Sequence, residues 1–254
     1  MPIPKSGLRS SGGVLRESIE HSWQENRLLS ALSEKDRVRL IPRLDILTLF
    51  AKETMHESGE EMNYVYFPLD CIVVLISSVD EKATVEVGLI GNEGMTGTPI
   101  LMGGKQAINQ ALILVEGKAL RLPAAVLRKQ AKRSTRMREV MLNYANGLLA
   151  QGAQLAACHR YHTPTERLAR LLLMIQDRSK TPELRVTQDL LARLLGTRRA
   201  TVTQAASHLQ ERGLIESVRR RIKFLDRKGI ENASCSCYKI LTNQQSMAST
   251  QASS

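Results

Sequence analysis

Arg198, Arg199, Thr201, Thr203, Gln204, Ser207 and His208 lie in one short stretch, with Val202, Ala205, Ala206 and Leu209 interleaved among them. At helical spacing the apolar four share a face and the polar groups line the other. Guanidinium, hydroxyl, amide and imidazole groups presented together can both donate and accept hydrogen bonds, as reading base edges in a DNA major groove requires. An ordinary helical hairpin with a solvated face fits the same residues, so this stretch alone leaves two readings open. A second group, Arg219, Arg220 and Arg221, places three guanidiniums side by side. Catalytic chemistry has no counterpart here. The chain shows no nucleophile–base pair, phosphate-cradling loop or metal motif, and its histidines have no evident carboxylate partner.

The elements that must hold these groups are legible. Thr187 is a good N-cap and Asp189 a favourable first-turn charge, with Val186 and Leu191 placed to form a hydrophobic staple. Leu190, Leu191, Leu194 and Leu195 then form an apolar stripe that Gly196 ends. A second helix starts near Arg199 and stops at Gly213, so Val186–Gly213 reads as a helix–turn–helix. Leu214–Leu225 follows as a strand, a basic turn and a second strand, a hairpin wing with Ile222 and Phe224 facing inward. From Arg198 to Lys228 nine basic residues stand against three acids. That excess beside a reading helix suits phosphate neutralisation and favours a winged helix–turn–helix over a merely solvated charged surface.

The 254 residues leave room for two domains, and 43% hydrophobic content suffices for a proper core. A formal net charge of +11 favours an acidic partner. The longest apolar run, Cys71–Ile76, is too short to span a bilayer, and MPIPKSGLRSSGG lacks the apolar centre of a secretory signal. A cytoplasmic protein without a membrane partner is the default expectation. Four cysteines, Cys71, Cys158, Cys235 and Cys237, include no Cys-x-x-Cys pair, so no metal site is predicted. Cys235 and Cys237 are poor metal ligands by themselves. Redox sensing or metal binding would need a distant Cys or His, or residues of another subunit.

Upstream, residues 1–26 read as a loose arm, followed by a short helix over Asn26–Leu32. Ser33 with Asp36 resembles a capping box that opens a helix ended by Pro42. Short β-rich runs, Tyr64–Pro68, Cys71–Ser77, Thr84–Ile90, Asn109–Val115 and Lys118–Leu122, predict a compact roll or barrel. Between them, Gly91–Gly104 predicts a turn and one short helix; its glycines could admit an anion or simply form turns. Residues 123–162 read as a short basic helix and a long one. On the long helix Met137, Met141, Tyr144, Leu148, Gln151, Leu155 and Cys158 follow heptad spacing, a seam for a second copy of the chain. Val140, Leu142 and Leu149 form a second stripe, suited to packing on the strands. Thr163-Pro164-Thr165-Glu166 restarts a helix with a capping box, placing a DNA-binding domain over 163–229. A polar tail over 230–254 is predicted to be disordered at its end.

This order of elements resembles the cyclic-AMP receptor and fumarate–nitrate-reduction regulators (Crp/Fnr), over roughly residues 27 to 228. RLARLLL followed by VTQDLLARLLGTRRATVTQAASHLQERGLIE carries the likeness most specifically, with GNEGMTG and the EGKALRL run supporting it. The resemblance implies an α+β chain: a cyclic-nucleotide-binding-like β-roll over 27–122, a long dimerisation helix, and a C-terminal winged helix–turn–helix. It further implies a homodimer on double-stranded palindromic DNA and contact with RNA polymerase, with the roll either sensing an unknown small-molecule effector or serving as a scaffold. A constitutive DNA-binding protein, or a protein-binding sensor or adaptor, on the same fold is the alternative reading.

Position by position the match is uneven. Relatives that bind cyclic AMP hold its ribose with a glycine–glutamate pair and its phosphate with an arginine and a hydroxyl. Glu93, between Asn92 and Gly94, matches the glutamate, but Asn109 and Gln110 fall where the arginine and hydroxyl belong. A neutral amide does not replace a guanidinium against phosphate, so cyclic AMP is not the expected ligand. The iron–sulfur branch needs an N-terminal cysteine cluster, and none precedes Cys71. For the haem branch no residue singles out an axial ligand; His159 and His162 read as helix-end residues. Arg199 matches the family's leading base-contacting arginine. Ala200 replaces a usual glutamate, and Gln204 replaces a later arginine. Thr203 can contact phosphate or a thymine methyl. The implied DNA-contacting set is Thr187, Arg198, Arg199, Ala200, Thr201, Thr203, Gln204, His208, Arg219, Arg220 and Arg221.

Overall fold

A computed structural model describes residues 22–80, 83–179, 181 and 183–251, with side-chain placement to residue 244. Chain contacts divide it into two units, one of residues 22–73 and 90–148, the other of 74–89 and 149–245.

In the first unit, Asn26 caps helix α1 (Arg27–Ser30), its Oδ1 accepting from the Leu29 N–H at 3.0 Å. The same fully buried amide donates to the carbonyls of Pro68 and Gly94, both at 2.9 Å. Residues 22–26, predicted as part of a loose arm, are thus tied into this unit; residues 1–21 lie outside the described residues. Ser33 caps α2 (Glu34–Leu40) as its motif predicts, and its hydroxyl donates to the buried Asp36 carboxylate at 2.7 Å. A three-stranded antiparallel sheet follows the order β1-β7-β3, with β1 over Asp45–Leu49, β3 over Tyr64–Pro68 and β7 over Gly117–Pro123. Alternation along β3 and β7 turns Val65, Phe67, Leu120 and Leu122 into the core, against Leu28, Leu29, Met137 and Met141.

A four-stranded sheet has the order β2-β6-β4-β5, with β2 over Thr54–His56, β4 over Ile72–Ser78, β5 over Thr84–Ile90 and β6 over Gln110–Val115. Five strands fall where the sequence predicts them, within a residue or so. The short β1 and β2 carry too weak an alternation to stand out in the sequence. Helices α3 (Thr98–Leu101), α4 (Ala124–Arg133) and α5 (Thr135–Tyr161) complete this part of the chain. The division between units falls within β4, β5 and α5, so residues of α5 belong to both units.

The burial of α5 overturns the predicted dimer seam. Met137, Met141, Gln151, Leu155 and Cys158 are all buried within their own chain, and Tyr144 and Leu148 are half-buried. Met137 and Met141 belong to the first unit's core, while the Gln151 Oε1 accepts from the Leu89 N–H at 2.6 Å. Of the stripe expected to pack on the strands only Val140 is buried; Leu142 and Leu149 are exposed. Heptad spacing fixes which residues share a face, and the stripe with the larger side chains has gone to the chain's own interior.

The second unit contains α6 (Pro164–Gln176), α7 (Gln188–Leu194), α8 (Arg199–Glu211), α9 (Arg227–Ala233) and most of α10 (Cys237–Gln251). Thr163 and Glu166 form the predicted capping box of α6. A three-stranded antiparallel sheet orders β8 (Glu183–Arg185), β10 (Arg221–Phe224) and β9 (Ile215–Val218). The polar tail, for which disorder is predicted only at the end, is helical over much of its length, and Tyr238 and Leu241 are buried. Residues 252–254, the end of that segment, lie outside the described residues.

Two arginines of α6 are buried in this unit. Arg170, fully enclosed, pairs with the equally enclosed Glu86 of β5. Arg167 Nη1 donates to the carbonyls of His159 at 3.3 Å and Leu195 at 3.1 Å, so it links the end of α5 to the end of α7. Burial holds the His159 imidazole below its usual pKa. The neutral ring then donates from Nε2 to the Glu86 carbonyl (3.2 Å) and accepts at Nδ1 from Arg167 (3.3 Å). Removing one partner of a buried ion pair strands the other without solvent. Glu86→Gln is therefore expected to lower stability by about 3–5 kcal/mol in denaturant unfolding, and Glu86→Leu with Arg170→Met to recover most of it. A single-variant loss no larger than that of an exposed pair would refute the assignment.

Candidate nucleic-acid interface

The turn between α7 and α8 is built from local rules. The Thr187 hydroxyl accepts from the Leu190 N–H at 3.1 Å, and Gly196 takes a left-handed φ of 57° where the first helix stops. Val202, Ala205, Ala206 and Leu209 are buried, as their spacing predicts, which fixes the rotation of α8. Arg199, Ala200, Thr203, Gln204, Ser207 and His208 are consequently exposed along one face. Arg198, also exposed, occupies the N-cap position with its side chain unused in capping, and Thr201 is half-buried.

Hydrogen bonds pre-order part of this face. The Arg199 guanidinium stands 3.5 Å from the Asp189 carboxylate, both groups largely in solvent. Such a pair is weak and can be exchanged for a better acceptor. The Thr203 hydroxyl lies 2.7 Å from Gln188 Oε1 and 3.1 Å from the Arg199 carbonyl oxygen. Gln188, absent from the sequence reading, thereby joins α7 to the reading face; a polar residue at N1 gives no signal of such a role. Gln210 Oε1 accepts from the Ser217 N–H at 2.9 Å and ties α8 to the wing.

The wing differs in detail from its prediction. Val218 pairs with Arg221, so Arg219 and Arg220 alone form a two-residue hairpin loop, and Arg221 opens β10. Both loop residues have positive φ, 43° and 73°. Tight hairpin turns of this kind favour asparagine and glycine, because a Cβ is strained there. Two arginines in such a loop keep cationic side chains at the tip despite backbone strain. Arg221 lies 3.7 Å from Glu183 on β8, and Arg185, its register partner, adds an exposed cation that the sequence reading misses. Ile222 is buried and Phe224 half-buried, both turned inward as predicted.

The residues matched to an effector pocket are engaged otherwise. Asn92 Nδ2 donates to the Glu25 carbonyl at 3.1 Å, and its own carbonyl accepts from the Arg27 N–H at 2.7 Å. Glu93 turns back on its loop, accepting from the Gly91 N–H at 3.2 Å. Gly94 lies against the Tyr144 ring, where a Cβ would overlap it, and the Tyr144 hydroxyl donates to the Met95 carbonyl at 2.9 Å. Gln110 Nε2 donates to the Glu57 carboxylate at 2.9 and 3.1 Å, placing a negative charge beside a position where a phosphate would need a positive one. Asn109 is a half-buried bend residue just before β6.

One further group is not visible as a unit in the sequence. Cys158 and His162, at the end of α5, meet Cys235 and Cys237, their ligating atoms all within 4.8 Å of one another. Heptad spacing assigns Cys158 to the dimer seam, and nothing in the sequence links Cys235-x-Cys237 to Cys158 and His162, which the fold brings beside them.

The Crp-like helix–turn–helix domain family matches residues 166–233, from α6 through α9. No curated protein sequence matches the chain. Among solved structures, FixK2 from Bradyrhizobium japonicum superposes with a TM-score of 0.65 at 18% identity, covering 76% of this chain and 98% of its own. A CRP/FNR-family transcriptional regulator from Thermus thermophilus gives 0.58 at 22% identity, covering 75% and 98%. The c-di-GMP-responsive global regulator CLP from Xanthomonas campestris gives 0.57 at 17%, covering 76% and 99%. At these identities the likeness is one of fold.

Relieving the wing-tip strain separates its two roles. Arg219→Asn with Arg220→Gly is expected to stabilise the hairpin by about 1–2 kcal/mol in thermal or denaturant unfolding. If both arginines contact phosphate, the slope of log affinity for duplex DNA against log salt also falls by about 2. Unchanged salt dependence would leave the tip as a solubilising feature.

Proposed function

We propose, from the premise that this chain is a Crp/Fnr-type regulator with a Crp-like helix–turn–helix domain, that it binds a palindromic DNA site as a homodimer. The observation that carries the reading is the rotation of α8: its apolar stripe is buried and Arg199, Thr203, Gln204 and His208 face outward beside a cationic wing. Arg199 would donate to guanine O6 and N7, leaving Asp189 to do so, while Gln204 suits adenine. Exposed cations at Arg198, Arg219, Arg220 and Arg221 would meet phosphates.

Dimerisation is assigned to a different face of α5 from the one its heptad pattern suggests. Leu142, Asn146, Leu149, Ala153 and Ala156 follow one another at spacings of four and three, and all are exposed. On this face the two leucines supply apolar area, and the two alanines allow close approach of a second α5. Asn146, a polar residue at one seam position, would fix the register of the pair. A symmetric pair would present two reading helices to half-sites about 34–36 Å apart. RNA polymerase is the further partner that the resemblance implies. The Asn92–Gly94 loop packed under Tyr144, and Gln110 on Glu57, support a roll that takes no cyclic nucleotide through its phosphate.

Genome-wide footprinting with the purified protein is expected to return a two-fold symmetric motif. Arg199→Ala is expected to cost about 1–3 kcal/mol at the matched site and to relax specificity at that base pair. A uniform loss across all sequences would make Arg199 a backbone contact. In sedimentation, Leu149→Glu is expected to give monomers with weakened operator binding; an unchanged dimer would remove this face from the interface.

A further inference from the structure

We infer that Cys158, His162, Cys235 and Cys237 form a four-ligand site for a thiolate-seeking divalent cation of the zinc class. The proposal stands whether or not the chain binds DNA. It begins from covalent spacing. Cys158 and His162 are one helical turn apart at the end of α5, and the His162 N–H bonds back to the Cys158 carbonyl at 3.1 Å, so both side chains issue from one face. Cys235 and Cys237 flank the start of α10, with the Tyr238 N–H returning to the Cys235 carbonyl at 3.1 Å. The pairs are far apart in sequence, yet Cys158 Sγ lies 3.5 Å from Cys235 Sγ, and Cys237 Sγ lies 3.6 Å from His162 Nδ1.

Those separations suit a metal better than a disulfide. A tetrahedron with zinc–sulfur bonds of about 2.3 Å and zinc–nitrogen bonds of about 2.0–2.1 Å has edges of about 3.8 Å between sulfurs and about 3.5 Å from sulfur to nitrogen. A disulfide would need its sulfurs at about 2.05 Å, and all four cysteines of the chain are free. Burial fits a closed structural site: the three cysteines are enclosed and His162 is half-buried. Beyond the ligands, Gln154 Nε2 donates to Cys237 Sγ at 3.1 Å, a bond of the kind that supports a coordinated thiolate. Three thiolates and a neutral imidazole select zinc over the hard cations, which prefer oxygen. Loading would release three thiol protons to solvent and leave the centre with one net negative charge.

The location gives the site a purpose. Its two ligand pairs lie just outside residues 166–233, one before the helix–turn–helix domain and one after it. A bound ion would clip both ends of that domain together, closing a loop of more than seventy residues, and its binding free energy would add to folding. Cys71, buried in the first unit with its thiol pushed up to about 12, is not among these four ligands and serves as an internal control.

The full chain, reduced and stripped of metal, is titrated with Zn2+ alone and, in parallel, with Co2+. One ion per chain is expected, with the cobalt form showing thiolate charge-transfer and tetrahedral ligand-field absorption. Cys235→Ser and Cys237→Ser are expected to weaken binding by more than about 100-fold, Gln154→Leu by about 10-fold, and Cys71→Ser not at all. Should the ligand variants fail to fold, the native protein still decides the matter. Bound Zn2+ is expected to protect Cys158, Cys235 and Cys237 from alkylation, mapped by mass spectrometry, and chelation to expose them and lower the melting temperature. Failure of the reduced protein to take up stoichiometric Zn2+, or uptake without protection of those three thiols, overturns the proposal. So does a Cys158–Cys235 disulfide in metal-free protein isolated under reductant.

Discussion

Two arginines on α6 carry charge into the interior of the second unit, and its arrangement follows from what that costs. An enclosed guanidinium is costly unless it is paired or hydrogen-bonded, and here the Nη atoms of both carry those contacts while each Nε is buried without a hydrogen bond. Arg170 finds Glu86, and Arg167 finds the carbonyls of His159 and Leu195. The partners belong to β5, the end of α5 and the end of α7, so the contacts of two side chains link four elements. Displacing β5 would leave the Arg170 charge without its counterpart, and displacing either helix end would take a carbonyl acceptor from Arg167. Apolar packing alone would be less exacting, because hydrophobic contacts are non-directional.

The exposed face of α8 inherits its orientation from that arrangement. Arg167 ends on the carbonyl of Leu195, at the close of α7, and the glycine turn leads from there into α8. The stripe beneath α8 sets its rotation, and Gln188 and Gln210 hold Thr203 and Ser217 in place. A base-reading surface needs side chains held by their neighbours, since loosely placed donors lose directional specificity. At the wing the backbone is strained instead, with Arg219 and Arg220 both at positive φ in the hairpin loop.

The same unit gathers three thiols and an imidazole where the helix–turn–helix begins and ends. Packing of α9 and α10 after the wing makes this possible, so the C-terminal segment is an integral part of the unit. Buried polar atoms meeting at one point need either mutual hydrogen bonds or an ion; here the thiol–thiol and thiol–imidazole pairs are within hydrogen-bond reach, and the ion inferred above would replace those bonds.

Local pattern determined much of what this chain does. The cap at Thr187, the box at Thr163 and Glu166, the glycine at 196 and the stripe through Val202 and Leu209 are short-range signals, and each is legible because its physics acts within a turn or two. The same holds for the strands with strong β composition, whereas β1, β2 and β8 depend on neighbours for their pairing. Tertiary structure decided the rest. Along α5 the heptad spacing shows which residues share a face, but only the surroundings determined that Met137, Met141 and Leu155 turn inward and Leu142 and Leu149 outward. Likewise Cys158 and Cys235 carry no sequence signal of each other, because their meeting is set by the folding of the whole domain between them.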